Sequence, residues 1–188
     1  REIELRIEEI DKIVLRMIKF AFDCKKNEGN GYDIDFKAAQ QNEVIGNRID
    51  GEGWTYKAVE TIGEALTGAD FVIVSILPGT FDEMEYDVHV PEKYGIYHSV
   101  GDTVGPGGVL RAMRTVPIYE EFAQKIREVC PNAWVLNFTN PMSICTKVLY
   151  DVFPGIKAFG CCHEVFHAQD FLTCVLKETR GIHVKRHD

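Results

Sequence analysis

Two short motifs hold the residues with the greatest chemical capacity. N-F-T-N-P occupies 137–141, and G-C-C-H occupies 160–163. Each closes a short apolar run, Ala133 to Leu136 in the first case and Ile156 to Phe159 in the second. Carboxamides both donate and accept hydrogen bonds, so they orient polar ligands. A thiol next to an imidazole binds a borderline divalent metal. Open α/β sheets hold ligands at the carboxyl ends of their strands. Together the motifs point to an organic substrate held beside a metal ion.

Each feature also has a plainer reading. Asn-Pro initiates turns, so Asn137 and Asn140 can serve chain geometry instead of a ligand. Free cysteines often pack in cores, which suits Cys161. Alternation then turns Cys162 toward the crevice, where a thiolate can ligate metal. His163 is a second ligand or a donor to a substrate oxygen. His89, His98, His167, His183 and His187 read as surface or packing residues. In Y-D-I-D, 32–35, Asp33 sits where an acid accepts hydrogen bonds from an adenosine ribose. Alternatively both aspartates simply start a helix. The loop G-D-T-V-G-P-G-G, 101–108, offers Asp102 and Thr103, with Arg111 and Arg114 following. Guanidinium groups grip carboxylates in a bidentate manner, so one arginine can read an acidic substrate, or both are solvated.

The elements that position these groups follow from hydrophobic spacing. Residues 1–19 place Ile3, Ile7, Ile10, Val14 and Met17 on one stripe, the seam of a docking or dimerising helix. A homo-oligomer is expected on that ground. Residues 23–31 are a polar, glycine-rich loop. Phe36 to Arg48 reads as a helix capped by Asp35, Thr55 to Val59 as a strand, and Ile62 to Thr67 as a helical turn. F-V-I-V-S-I-L, 71–77, is a strand apolar on both faces, which belongs in a parallel sheet covered by helices. Residues 79–108 read as a long functional loop. Ile118–Val129, Met142–Tyr150 and His167–Glu178 read as helices. Strand and helix alternate, which predicts a doubly wound α/β sheet.

Composition narrows the class. At 188 residues and 45% hydrophobic content the chain can bury a core. Its formal charge of −8 disfavours nucleic acid and anionic membranes as partners. No apolar run approaches the roughly 20 residues needed to span a bilayer. The six cysteines lack CxxC spacing and a disulfide framework, which suits reduced thiols in a cytoplasmic protein.

The ordered segments YDIDFKAAQQNEVIGNR, LTGADFVIVSILPG, GIYHSVGDTVGPGG, NFTNPMSICTKVLY and FPGIKAFGCCHE resemble glycoside hydrolase family 4, and within it the bacterial α-galacturonidases. The resemblance runs from Tyr32 to Glu164. It implies a Rossmann-like, lactate/malate dehydrogenase-like parallel sheet over 32–188, present in part, with 1–31 as an unmatched helix and linker. It implies NAD and Mn2+ as cofactors and an α-galacturonide as substrate. The family is an exception to the two-carboxylate rule for glycosidases. Its chemistry removes a hydride from C3 to NAD, which acidifies the C2 proton; a base takes that proton and the glycosidic oxygen leaves. Water then adds and the hydride returns.

Carried over by position, Cys162 corresponds to the metal-binding cysteine and His163 to a catalytic residue near the leaving oxygen. Asn140 corresponds to an asparagine that contacts sugar hydroxyls, and Arg111 is placed with it on the substrate. Asp33 corresponds to the ribose-binding acid. Ile76, Leu77, Pro78 and Asn137 line the cofactor, and Asp102 belongs to the active-site loop. The chain departs from the family in lacking GxGxxG. The family's second metal ligand and base are expected beyond residue 188, so the chain reads as truncated, rearranged or part of a longer one. Two alternatives remain at this point: a lactate/malate dehydrogenase-like oxidoreductase, which needs no thiol after the last strand, and a non-catalytic remnant binding through its N-terminal stripe.

Overall fold

The computed structural model describes residues 28–49, 54–98 and 103–184. The stripe at 1–19 and Asp102 lie outside these residues. In chain order the described elements are β1 (Glu28–Gly31), α1 (Phe36–Ile49), β2 (Thr55–Ala58), α2 (Ile62–Leu66) and β3 (Phe71–Val74). There follow α3 (Phe81–His89), a 3-10 turn (Pro91–Tyr94), α4 (Gly105–Val129), β4 (Trp134–Asn137), α5 (Met142–Val152), β5 (Lys157–Gly160) and α6 (Glu164–Arg180). The class is α/β with parallel pairing, as the alternation implies. Among the described residues the strands form two sheets, β1-β2 and β3-β4-β5.

The first sheet is closed by side chains from α1. Asp35 caps that helix, its Oδ1 accepting from Lys37 N at 3.1 Å and Ala38 N at 3.3 Å. Farther along α1, Asn47 brackets Tyr56 of β2. Its Nδ2 donates to the Tyr56 carbonyl at 2.9 Å and its Oδ1 accepts the Tyr56 N–H at 3.0 Å. Glu43 accepts from Ala58 N at 2.7 Å. These contacts satisfy ladder groups that an edge strand otherwise presents to other chains.

The core lies on one face of the second sheet. Val72, Val74, Val135 and Ala158 pack against Tyr119, Ala123 and Ile126 of α4 and Cys145 and Leu149 of α5. The other face keeps Phe71, Trp134 and Phe159 more than a third exposed. Helices on both faces were expected; among the described residues the main core packs on one face, and on the other Leu136 is buried at 5% exposed beside its more exposed neighbours. The apolar run 71–77 also forms a shorter strand than its composition suggests. The ladder ends at Val74, because Ile76 N donates to the Thr139 hydroxyl at 2.9 Å instead of to a neighbouring strand.

The expected long loop at 79–108 is largely helical. Thr80 and Glu83 form a capping box that starts α3, and α4 begins at Gly105, not at Ile118. Pro117 lies inside α4; lacking an N–H, it marks a break in the sequence pattern that the surrounding packing overrides. Asp87 of α3 is buried and forms a two-pronged ion pair with Arg114 of α4. That bond raises the Arg114 pKa further and ties α3 to α4. Gly105 has φ +63, and a Cβ there would stand 2.5 Å from His98 Nε2. His98 therefore packs over the start of α4, which fits its reading as a packing residue.

Candidate active site

Register brings the chemical motifs to one edge. Val74 pairs with Asn137, and Asn137 with Gly160. The segments after β3, β4 and β5 therefore leave the sheet side by side. Phe138 N donates to Val74 O and Cys161 N to Asn137 O, both at 2.8 Å. This is the carboxyl edge at which parallel sheets hold ligands.

Asn137 organises the N-F-T-N-P turn. Its side chain is 0% exposed. Oδ1 accepts the Tyr119 hydroxyl at 2.5 Å and Thr139 N at 2.9 Å. Nδ2 faces Thr139 O at 3.3 Å, Met142 O at 3.4 Å and the Thr146 hydroxyl at 3.3 Å. This dry, multiply bonded amide supports a scaffolding role for Asn137 beside the cofactor contact expected of it. Tyr119, Thr139 and Thr146, which the sequence reading passed over, share that role. Only the threonine inside N-F-T-N signalled it.

Asn140 and Arg111 are brought together. Arg111 is 6% exposed, and its Nε donates to the Asn140 carbonyl at 3.2 Å. The Asn140–Pro141 peptide is cis. Arg111 thus holds the backbone of the residue expected to touch sugar hydroxyls and places positive charge beside it.

After β5 the two cysteines diverge. Cys161 is half-buried, and burial raises its thiol pKa. Cys162 is exposed, with Sγ accepting from Glu164 N at 3.4 Å. His163 opens α6 without a side-chain cap bond. Its ring meets His167 edge-on, with centroids 5.6 Å apart. His167, expected as a surface or packing residue, thus stands against the ring of His163. Among the described residues no three His, Cys, Asp or Glu side chains gather as a metal site. Cys162 and His163 are suitable donors for manganese, but they do not complete a coordination sphere.

The cofactor-lining expectations fall on two segments. Asp33 lies exposed just beyond β1, its Oδ1 accepting from Asp35 N at 2.9 Å. After β3, Ile76 is half-buried, Leu77 is exposed and Pro78 is buried. Gly79, at φ +88, turns the chain into α3. No helix among the described residues is long and apolar enough to cross a membrane.

Comparison with known proteins agrees with this geometry. An α-galacturonidase of Thermoanaerobacter italicus is 61% identical over 157 residues, covering 84% of this chain and 34% of that protein. The α-galacturonidase of Bacillus subtilis is 60% identical over 157 residues, covering 84% and 35%. The chain therefore spans about a third of the length of these curated relatives. The solved lplD structure from Bacillus subtilis superposes with a TM-score of 0.81 at 54% identity, over 92% of this chain and 40% of that one. A Thermotoga maritima 6-phospho-beta glucosidase, solved with manganese, NAD+ and glucose-6-phosphate, gives 0.71 at 26% identity over 85% and 39%. The family profile described as Family 4 glycosyl hydrolase matches residues 10–178; the chain belongs to the family 4 glycosyl hydrolases.

Proposed function

We propose that this chain is the sheet-edge portion of an NAD- and manganese-dependent α-galacturonidase. The observation that carries the reading is the register of β3, β4 and β5, which delivers Ile76–Pro78, Asn140 and Cys162–His163 to one edge. The identity of about 60% to α-galacturonidases supports the substrate class. Family membership disfavours the dehydrogenase alternative, although a malate dehydrogenase shares the fold at a TM-score of 0.54 and 14% identity.

Each residue has a role that its position permits. Asp33 accepts from the ribose hydroxyls and disfavours a 2′-phosphate, which selects NAD. Ile76, Leu77 and Pro78 form the wall along the cofactor. Asn140 orients sugar hydroxyls, and the Arg111 guanidinium beside it favours the uronate carboxylate. Cys162 supplies a thiolate to the metal, and His163 donates a hydrogen bond toward the departing oxygen. NAD supplies the hydride acceptor.

Sugar selectivity tests this reading. With NAD and manganese present, the chain binds galacturonate at least about tenfold more tightly than galactose, and Arg111→Met removes most of that preference. Equal binding of the two sugars contradicts the substrate assignment.

A further inference from the structure

One face of α6 carries a row of side chains of metal-binding type. His163, His167, Asp170 and Cys174 follow spacings of four, three and four residues. At 3.6 residues per turn they fall within about 60° of one another. His163 precedes the first residue of α6, yet its φ of −67 and ψ of −17 are helical, so it shares the same phase. Val165, Leu172 and Leu176 lie on the opposite face. Packing on that apolar face leaves the row of donors outside the contact.

The first pair in the row is already close. The His163 and His167 rings lie 5.6 Å apart between centroids, with their planes at 82°. Both residues are exposed. Two imidazoles on one cation, with metal–nitrogen bonds of about 2.0–2.1 Å, hold their centroids about 4.5–5.5 Å apart. The observed spacing is just beyond that range. Rotation about exposed side-chain bonds closes the difference, while the i, i+4 backbone spacing keeps the rings on neighbouring turns. The run H-E-V-F-H at 163–167 has the spacing by which paired histidines on one helix face grip zinc. Among the described residues no hydrogen bond holds either ring. His89 differs, because its Nδ1 is engaged by Glu92 at 3.1 Å.

We infer that His163 and His167 form a two-imidazole clamp for a late first-row divalent cation, Co2+, Ni2+, Cu2+ or Zn2+, with water in the remaining coordination positions. Imidazole suits these cations, and affinity at a nitrogen site rises from Mn2+ toward Cu2+. Manganese is therefore the weakest occupant. The positive end of a helix opposes a cation. Glu164 and Asp170, in the first two turns of α6, offset that field. Cys162 is not part of the clamp. Its Sγ turns to the Glu164 N–H at 3.4 Å, and no three side chains of ligand type gather among the described residues. His163 is also the residue proposed to donate toward the departing oxygen, so a cation held here occupies that imidazole. Cation binding is read without sugar or NAD, so failure of the clamp is distinct from failure of the galacturonidase reading.

Calorimetric titration of the tag-free chain with Ni2+, in a non-chelating reductant, tests the inference. The expected result is one Ni2+ per chain with a Kd in the micromolar range. Binding weakens at least about tenfold in His163→Ala and in His167→Ala, and little further in the double variant, because either loss alone breaks the chelate. Mn2+ at equal concentration does not displace the Ni2+. Cys162→Ser keeps the affinity within about threefold, since its thiol is outside the clamp. Hydrogen exchange supplies a second readout. Ni2+ slows the amides of 165–170 in the unaltered chain and not in His167→Ala, while β4 peptides are unchanged in every form, which shows that the variants remain folded. Equal Ni2+ affinity in the unaltered chain and His167→Ala overturns the inference. Binding lost in Cys162→Ser but kept in His167→Ala assigns the cation to the thiol and also overturns it. Additive losses in the two single variants mean independent imidazoles and overturn the chelate. One Ni2+ per two chains makes the cation a bridge between copies and overturns the clamp within one helix.

Discussion

The Tyr119 hydroxyl donates to Asn137 Oδ1 at 2.5 Å, and both side chains are 0% exposed. The pair links the middle of α4 to the end of β4, and from there to the turn that carries Asn140. Tyr119→Phe leaves a buried carbonyl one donor short. The expected loss is about 1–3 kcal/mol of stability, read by urea denaturation. Wild-type stability in Tyr119→Phe would contradict the scaffolding role of Asn137.

Burial pushes the Tyr119 phenol above its usual value near 10.0. The neutral phenol is thus favoured in the folded state, and its contribution is fully present below the unfolded pKa. As pH rises past about 10, unfolding increasingly releases a proton and stability falls. Tyr119→Phe flattens this alkaline loss in denaturation series from pH 8 to 11. An unchanged slope would show that Tyr119 is not the group responsible.

The thiols should react in order of exposure. Burial pushes Cys130 and Cys145 to about 11, with Arg111 partly countering the effect at Cys145. Both are buried, while Cys162 and Cys174 are exposed. Iodoacetamide at neutral pH therefore labels Cys162 and Cys174 well before Cys130 and Cys145, since thiolate fraction and access both control the rate. Peptide mapping over a time course checks this, and early labelling of Cys145 would contradict the packing described.

Asp87 and Arg114 fasten α3 to α4. Asp87→Ala strands a guanidinium whose side chain is 31% exposed. The expected cost lies near the lower end of the buried-pair range, about 3 kcal/mol, because that guanidinium keeps some solvent. A loss of unfolding free energy below a quarter of that would show that the pair is dispensable.

Two glycines make an internal comparison. A Cβ on Gly108 would stand 2.7 Å from the Thr103 carbonyl carbon and oxygen, which are backbone and cannot swing aside. A Cβ on Gly31 meets nothing within 4 Å. Gly108→Ala is expected to cost about 1–3 kcal/mol, as overpacking does, and Gly31→Ala to stay near neutral. Equal melting temperatures would contradict the close approach at the start of α4.

The strand–helix alternation, the Asp35 cap and the position of both motifs at strand ends were legible in the sequence, because apolar runs and turn residues carry them directly. The glycines of 95–108 masked α3 and the first part of α4. There the Thr80–Glu83 capping box was the stronger signal, and Pro117 suggested a helix start where tertiary packing permits an interior position. The type of Asn137 suits both a ligand and a turn; its partners in α4, in the turn and in α5 favour the scaffolding role. The His163–His167 contact needed the helical phase of α6, which starts three residues earlier than its apolar pattern suggests.

Nucleotide binding is the most direct test of the account. Under reducing conditions, with and without manganese, the chain is titrated with NAD and followed by calorimetry. Binding in the micromolar range that weakens at least about tenfold in Asp33→Ala supports a cofactor site at this sheet edge. Absence of binding at millimolar NAD would contradict it.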